Sequence, residues 1–267
     1  MLLKDKVVIV SGIGPGLGVK LALIAAQEGA KAVVLSARTQ SKLDDAEERI
    51  AALGTGCQTL KVSTDICDRA QCDNLVEQTL KSFGRVDALI NSAYYHGNFE
   101  PIENADLVEW QKVYQTNVVG SMNMTQAVIP AMKEQGSGAI VMINTQAVRK
   151  PAVLDAGGES GYAASKAALG VSTKYLAEEL GKYGIRVNSA YMGWMWGDPV
   201  EGYMQYVESE QNIPVNDQKA AVAQNIALGH IPTDDNCAKA ALFLASDYAV
   251  AVTGASLDVN GGEFMPA

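Results

Sequence analysis

The chain has 267 residues, 48% of them hydrophobic and 19% charged, with a net charge of −9. This is the composition of a globular chain able to bury a substantial core. The acidic balance argues against nucleic acid or an anionic membrane as partner, since both are bound through basic patches, but it leaves room for a local anionic-cofactor site.

Other absences narrow the reading further. No apolar run reaches about 18 residues, so no transmembrane helix is expected. The first residues, Met1-Leu2-Leu3-Lys4-Asp5-Lys6, lack signal-peptide architecture. Cys57, Cys67, Cys72 and Cys237 show neither CxxC nor metal-like spacing. Reduced thiols, no metal site and a cytoplasmic location are the expectation.

In chain order, Val7–Val10 is a short apolar run that reads as a strand, followed by glycines and a helical pattern through Leu21, Ile24 and Ala25. Ala32–Leu35 is the next strand, and Ser41 is expected to cap a charged helix running to about Leu53. Thr59–Val62, Ala88–Ile90, Ala139–Ile143, Arg186–Ala190 and Ser256–Val259 are further strand candidates. Helices are expected near Arg69–Phe83, Asp106–Lys133, Gly161–Lys182, Asp217–Leu228 and Asp234–Ala245. Apolar strands alternating with helices imply an α/β fold, a doubly wound and mostly parallel sheet covered on both faces. One Rossmann-like domain over 1–267 accounts for the chain, with neither repeats nor linkers.

The helix near Gly161–Lys182 carries Tyr162-Ala163-Ala164-Ser165-Lys166. Residues four apart share a helix face, so the phenol and the ammonium can look into one pocket. A neighbouring cation favours phenolate and would bring the tyrosine pKa down toward a value useful for proton transfer. The same spacing also occurs on ordinary amphipathic helices, and by itself decides nothing.

The first strand runs into Ser11-Gly12-Ile13-Gly14-Pro15-Gly16-Leu17-Gly18. Glycines between a strand and a helix let the backbone approach a pyrophosphate, which the positive helix end then holds. The spacing Gly12-x-x-x-Gly16-x-Gly18 differs from the common G-x-G-x-x-G fingerprint.

Taken with Tyr162-x-x-x-Lys166, that spacing resembles the short-chain dehydrogenase/reductase family, and the likeness covers essentially the whole chain. Asn91-Ser92-Ala93-Tyr94 stands where the family usually has Asn-Asn-Ala-Gly. Asn117 falls in Gln115-Thr116-Asn117-Val118-Val119-Gly120, and Arg186-Val187-Asn188-Ser189, Thr253-Gly254 and Val259-Asn260-Gly261-Gly262 resemble later family motifs. The resemblance implies a sheet of about seven strands and NAD(P)(H)-dependent oxidoreduction of a secondary alcohol or ketone. It implies Tyr162 as proton donor or base, Lys166 as its electrostatic partner and ribose ligand, and Asn117 supporting Lys166 through an ordered water. The usual serine position falls on Thr145, with Asn144 as the adjacent competitor. Thr145 and Tyr162 are 17 residues apart, longer than the family's usual spacing, and Pro151–Ser160 with Asp155-Ala156-Gly157-Gly158-Glu159 is where the excess should lie.

The implied cofactor contacts are Ser11, Gly12, Gly14, Gly16, Leu17, Gly18, Asp65, Ile66, Asn91, Ala93, Lys166 and Gly193. At the end of the second strand, Ser36-Ala37-Arg38-Thr39 has Ala37 where an NAD-selective site would show an acid. Arg38 suits a 2′-phosphate, so NADP(H) is favoured over NAD(H), although an arginine stacked on adenine would serve either.

The segment at about 192–216 corresponds to the family's substrate loop, and Trp194, Trp196, Tyr203 and Tyr206 make it aromatic. An aromatic lid suits an apolar or cyclic substrate, though the same rings could pack at a subunit interface. Tyr95, Gln146, Trp194 and Trp196 are candidate substrate contacts. His96 reads as a loop residue, with no partner near it in sequence. The family commonly forms homotetramers or homodimers through the Asn117 and Tyr162 helices. One further reading stays open, a relative that binds dinucleotide only, as a regulator or scaffold; a dehalogenase-like relative would usually lose the glycine turn and the lysine, and neither is lost here.

Overall fold

The computed structural model describes every residue except 152, 155, 156 and 267. Its sheet has seven strands in the order β3-β2-β1-β4-β5-β8-β9. They are β1 (Val7–Ser11), β2 (Ala32–Ala37), β3 (Gln58–Ser63), β4 (Ala88–Asn91), β5 (Gly138–Thr145), β8 (Ile185–Met192) and β9 (Ser256–Val259). All neighbouring pairs in this sheet are parallel, as the apolar strand runs require.

Alternation along β1 shows why both faces are covered. Val8 and Val10 join one apolar core with α1 (Leu17–Gln27), α2 (Gln40–Ala52) and α9 (Asp234–Ala245). Val7 and Ile9 point the other way, into a core shared with α3 (Arg69–Phe83), α5 (Ser121–Gln135) and α6 (Ser160–Leu180). Successive strand residues face opposite sides, so a strand buried on both faces must be apolar throughout. β1 lies between β2 and β4, so the chain reverses its winding there. Ligands of such sheets bind outside the strand carboxyl ends at that reversal.

Several expected elements differ in the structure. Thr39, not Ser41, stands at the N-cap of α2, and Ser41 lies inside the first turn. The helix expected over Asp106–Lys133 is α4 (Leu107–Tyr114) and α5 joined by a π-helical stretch, Gln115–Gly120. The helix expected over Asp217–Leu228 is the shorter α8 (Val215–Ala223). The segment read as a substrate loop carries α7 (Asp198–Gln211), which starts with Pro199 in its first turn. Between β5 and α6, Val153–Leu154 (β6) and Gly157–Gly158 (β7) pair antiparallel as a small hairpin. Asp155-Ala156 of the predicted excess lie outside the described residues.

Candidate active site

The strand ends converge on one cavity of about 670 Å³, a volume in the usual range for small-molecule sites. The glycine turn forms its floor. Gly12, at φ 102°, packs so closely on the 92–93 backbone that a Cβ would sit 2.3 Å from the Ala93 nitrogen. A Cβ on Gly18 would lie 2.0 Å from the Gly12 carbonyl oxygen. Both glycines are therefore fixed by close backbone approach. Above Gly14, in contrast, a Cβ would meet nothing within 4 Å. The turn is a tight cradle with free space over its middle at the start of α1, which fits a dinucleotide's pyrophosphate.

At the end of β2, Arg38 is exposed and makes no ion pair among the described residues. Lys42, one helical turn further on, lines the same cavity beside Gly14 and Pro15. From the sequence, Arg38 alone stood out as the cation of this site. The signal for Lys42 was its place in the first turn of the helix that follows Arg38. Asp65, Ile66, Ala93, Gly16, Leu17 and Gly193 also line the cavity. Ser11 and Asn91, expected as cofactor contacts, lie beneath it instead. Ser11 is wholly buried, and the Asn91 amide donates to Thr125 Oγ1 at 3.1 Å within the core.

Tyr162 and Lys166, on the first turns of α6, both reach the cavity. The Lys166 ammonium donates to the Ile143 carbonyl at the end of β5, at 2.7 Å. Its nitrogen lies 5.8 Å from the Tyr162 ring centroid. Burial lowers the Lys166 pKa to about 7. Burial also raises the Tyr162 phenol above its ordinary value, with Tyr94 and Glu159 adding to the rise. Desolvation of the phenol, and not the lowering expected from Lys166, sets the direction here.

Thr145 ends β5 and caps the short turn after it, its Oγ1 accepting from the Ala147 backbone at 3.2 Å. That bond orients the hydroxyl and leaves its proton for donation into the cavity. Asn144, the competing position, is buried and donates to Ser189 at 3.1 Å. Asn117 sits in the π-helical stretch, fully buried. Its Oδ1 accepts from the Tyr95 backbone at 2.7 Å, and its Nδ2 donates to the Tyr95 carbonyl and to Ser165 Oγ, each at 2.9 Å. It bonds the loop after β4 to α6 and makes no direct bond to Lys166.

Gln146 and Trp194 line the cavity as expected of substrate contacts. Tyr95 and Trp196 do not. The Tyr95 hydroxyl donates to the Glu109 carboxylate of α4. Trp196 packs with Met204, Ile226 and Ile231, and Lys219 Nζ lies 3.6 Å over its ring. Gly197, which also lines the cavity, is packed on Asp234, whose Oδ2 a Cβ would approach to 2.3 Å. His96 is the main surprise. Its ring is stacked between Phe99 and Tyr162, with centroid separations of 4.3 and 4.6 Å. Its Nε2 lies 2.9 Å from Glu159 Oε2.

The arrangement pairs a nucleotide cradle with a phenol, an amine and a hydroxyl around one opening. Comparisons with known proteins agree with it. A family model described as "Enoyl-(Acyl carrier protein) reductase" matches residues 12–263. Levodione reductase of Leifsonia aquatica is 31% identical over 259 residues, covering 97% of this chain and 94% of that protein. L-Sorbose reductase from Gluconobacter frateurii, solved with NADPH and L-sorbose, superposes with a TM-score of 0.91 at 27% identity, covering 100% of this chain and 99% of that one. An NAD+-bound xylitol dehydrogenase gives 0.86 at 25% identity, covering 97% and 99%. No helix among the described residues is long and apolar enough to cross a membrane. The chain belongs to the short-chain dehydrogenase/reductase family of NAD(P)-dependent oxidoreductases.

Proposed function

We propose that this chain interconverts a secondary alcohol and a ketone with NADP(H) in preference to NAD(H). The observation that carries the reading is the convergence of Tyr162, Lys166 and Thr145 with the Gly12–Gly18 turn on one cavity. Gly12, Gly14, Gly16, Leu17 and Gly18 hold the pyrophosphate, Arg38 and Lys42 the 2′-phosphate, and Asp65 and Ile66 flank the adenine. The dinucleotide supplies or accepts the hydride.

The chain's own part is proton transfer and positioning. Thr145 donates a hydrogen bond to the substrate oxygen, and Tyr162 gives that oxygen its proton when a ketone is reduced. The raised phenol pKa keeps Tyr162 in the donor form, which supports the reductive direction. Lys166, held at the Ile143 carbonyl with its nitrogen 5.8 Å from the phenol ring centroid, supports the proton transfer, and Asn117 fixes the walls of the pocket from behind. Gln146 and Trp194 face the substrate, and the segment 192–216, carrying α7, covers it within a single domain spanning 1–267. Pro199 of α7 lies over Gly16, where a Cβ would come within 3.0 Å of its Cγ.

Self-association through the α4–α5 and α6 faces, as a homodimer or homotetramer, is supported by exposed Leu107, Tyr114, Val119, Val171 and Tyr175 on those helices. A cytoplasmic location is supported by the free cysteines, Cys72 and Cys237 among them being buried.

Cofactor choice has a direct check. The wild-type protein is expected to show a higher kcat/KM with NADPH than with NADH. Arg38→Ala should reduce that ratio by about 10- to 100-fold, the worth of a charge-assisted phosphate contact, and Lys42→Ala should reduce it by less. A wild-type preference for NADH would remove the phosphate role from both residues.

A further inference from the structure

The chain between β5 and α6 brings a second polar pair into the cavity. Hairpin β6–β7 is fastened to the loop that follows β4, with the Glu100 backbone donating to the Gly158 carbonyl at 3.2 Å. Gly157, at φ 115°, lies so close to this loop that a Cβ would sit 2.3 Å from the Glu100 carbonyl carbon. Each of the two fastened segments contributes one side chain to the cavity wall, His96 from the loop and Glu159 from the residue before α6.

Their geometry is restrained from several sides. His96 is stacked on Tyr162 and Phe99, and Asn117 holds the adjacent Tyr95 backbone by two hydrogen bonds. Glu159 occupies the N-cap position of α6, yet its side chain makes no capping bond. Glutamate is not among the residues that usually cap a helix, so a structural role at this end does not explain it. One carboxylate oxygen is bonded to His96, and the other has no hydrogen-bond partner among the described residues. The side chain is 19% exposed, on the cavity side.

We propose that Glu159, held in place by His96, is a specificity-determining acceptor for a substrate hydroxyl next to the reacting carbon. The substrate class is then vicinal diols and the corresponding α-hydroxyketones. The inference rests on the reading of the site as an alcohol/ketone oxidoreductase and narrows its substrate. Glu159 and Tyr162 are three residues apart at the start of one helix, so carboxylate and phenol flank the same opening. The influence of Glu159 on the Tyr162 pKa reflects that closeness. An ionised carboxylate only accepts hydrogen bonds. It therefore favours a neighbouring hydroxyl, whereas a second carbonyl or a methylene leaves a half-buried charge unpaired. Phe99, Trp194 and Val200 give the rest of the wall an apolar surface suited to the carbon skeleton.

The test compares kcat/KM for trans-1,2-cyclohexanediol and cyclohexanol, with NADP+, in the wild type, Glu159→Ala and His96→Phe. Cofactor fluorescence titration of each variant confirms an intact nucleotide site. The wild type should prefer the diol, and Glu159→Ala should lower the diol-to-cyclohexanol ratio by about 10- to 100-fold, the range for a hydrogen bond to a charged group. The loss should fall mainly on KM. His96→Phe keeps a ring to stack on Tyr162 but removes the bond to Glu159, and should lower the ratio in the same direction. Oxidation of cyclohexanol with the same ratio in all three proteins overturns the proposal alone. No turnover of any alcohol or ketone overturns the oxidoreductase reading and this inference with it.

Discussion

Tyr162→Phe is expected to lower kcat by about 10³-fold while leaving cofactor affinity within about two-fold, since a positioned general acid contributes 10²- to 10⁴-fold. The substitution removes one hydroxyl and keeps the ring that stacks on His96 at 4.6 Å. Packing is therefore little disturbed, and the loss reports proton transfer. Steady-state kinetics together with fluorescence titration of NADPH separates the two effects. A variant that retains a tenth of the wild-type kcat would show that another group delivers the proton.

The second large effect concerns Lys166. Its amine is 2% exposed, and its pKa falls from 10.5 to about 7 on burial. Between those values the unfolded chain carries a proton that the folded chain does not, so stability rises with pH across that window. Below about pH 7 both states carry the proton and the slope vanishes. Cys72 and Cys237, whose thiols burial pushes up to about 12, act in the opposite sense above about pH 9. Those thiols are shared by Lys166→Met, so the difference between the two proteins isolates the lysine. Denaturant unfolding of the cofactor-free proteins should show wild-type stability gaining on Lys166→Met by up to about 1 kcal/mol per pH unit from pH 7 to 9. Parallel curves would mean that the amine stays charged in the fold. Lys166→Met should also lose most turnover, because the proton path behind Tyr162 is cut.

What the sequence made legible was local. The glycine turn, the apolar strands and the Tyr162–Lys166 spacing are each written within a few residues, and each falls where it was expected. Relations across the fold were not legible. His96 looked partnerless because Glu159 is 63 positions away, and only the β6–β7 hairpin brings the two together. Asn117, in the π-helical stretch, bonds the Tyr95 backbone and Ser165, partners 22 and 48 positions away that no local pattern announces. A single extra residue per turn leaves no trace in hydrophobic periodicity, so a straight helix over Asp106–Lys133 was the natural expectation. Tyr95 and Trp196 show a related limit. Their positions follow from chain order, but their side-chain directions depend on Glu109 and on the core around Met204. For α7 a signal was present, Asp198-Pro199 at a helix start, and the family's loop assignment obscured it.

Desolvation of the cavity-lining Tyr162 and of the buried Lys166 sets the electrostatics of the site. With the phenol above its ordinary pKa and the amine brought down to about 7, the phenol keeps its proton at neutral pH beside a partly protonated amine. Such a pair is suited to giving a proton to a carbonyl oxygen at neutral pH, and the reverse reaction should need higher pH. The rate of ketone reduction is therefore expected to hold across the neutral range, while alcohol oxidation climbs as pH rises.

Hydride and proton exchange between NAD(P)(H) and a secondary alcohol or ketone, with Tyr162 as the acid, is the activity proposed for this cavity. The most direct measurement follows reduced-nicotinamide absorbance during oxidation of a panel of cyclic secondary alcohols and diols, and reduction of the matching ketones, by the wild type and Tyr162→Phe. The wild type is expected to turn over in both directions, with near-complete loss in a variant that still titrates with NADPH. Tight cofactor binding without turnover of any alcohol or ketone would contradict it, and would point to a protein that binds dinucleotide without catalysing its redox chemistry.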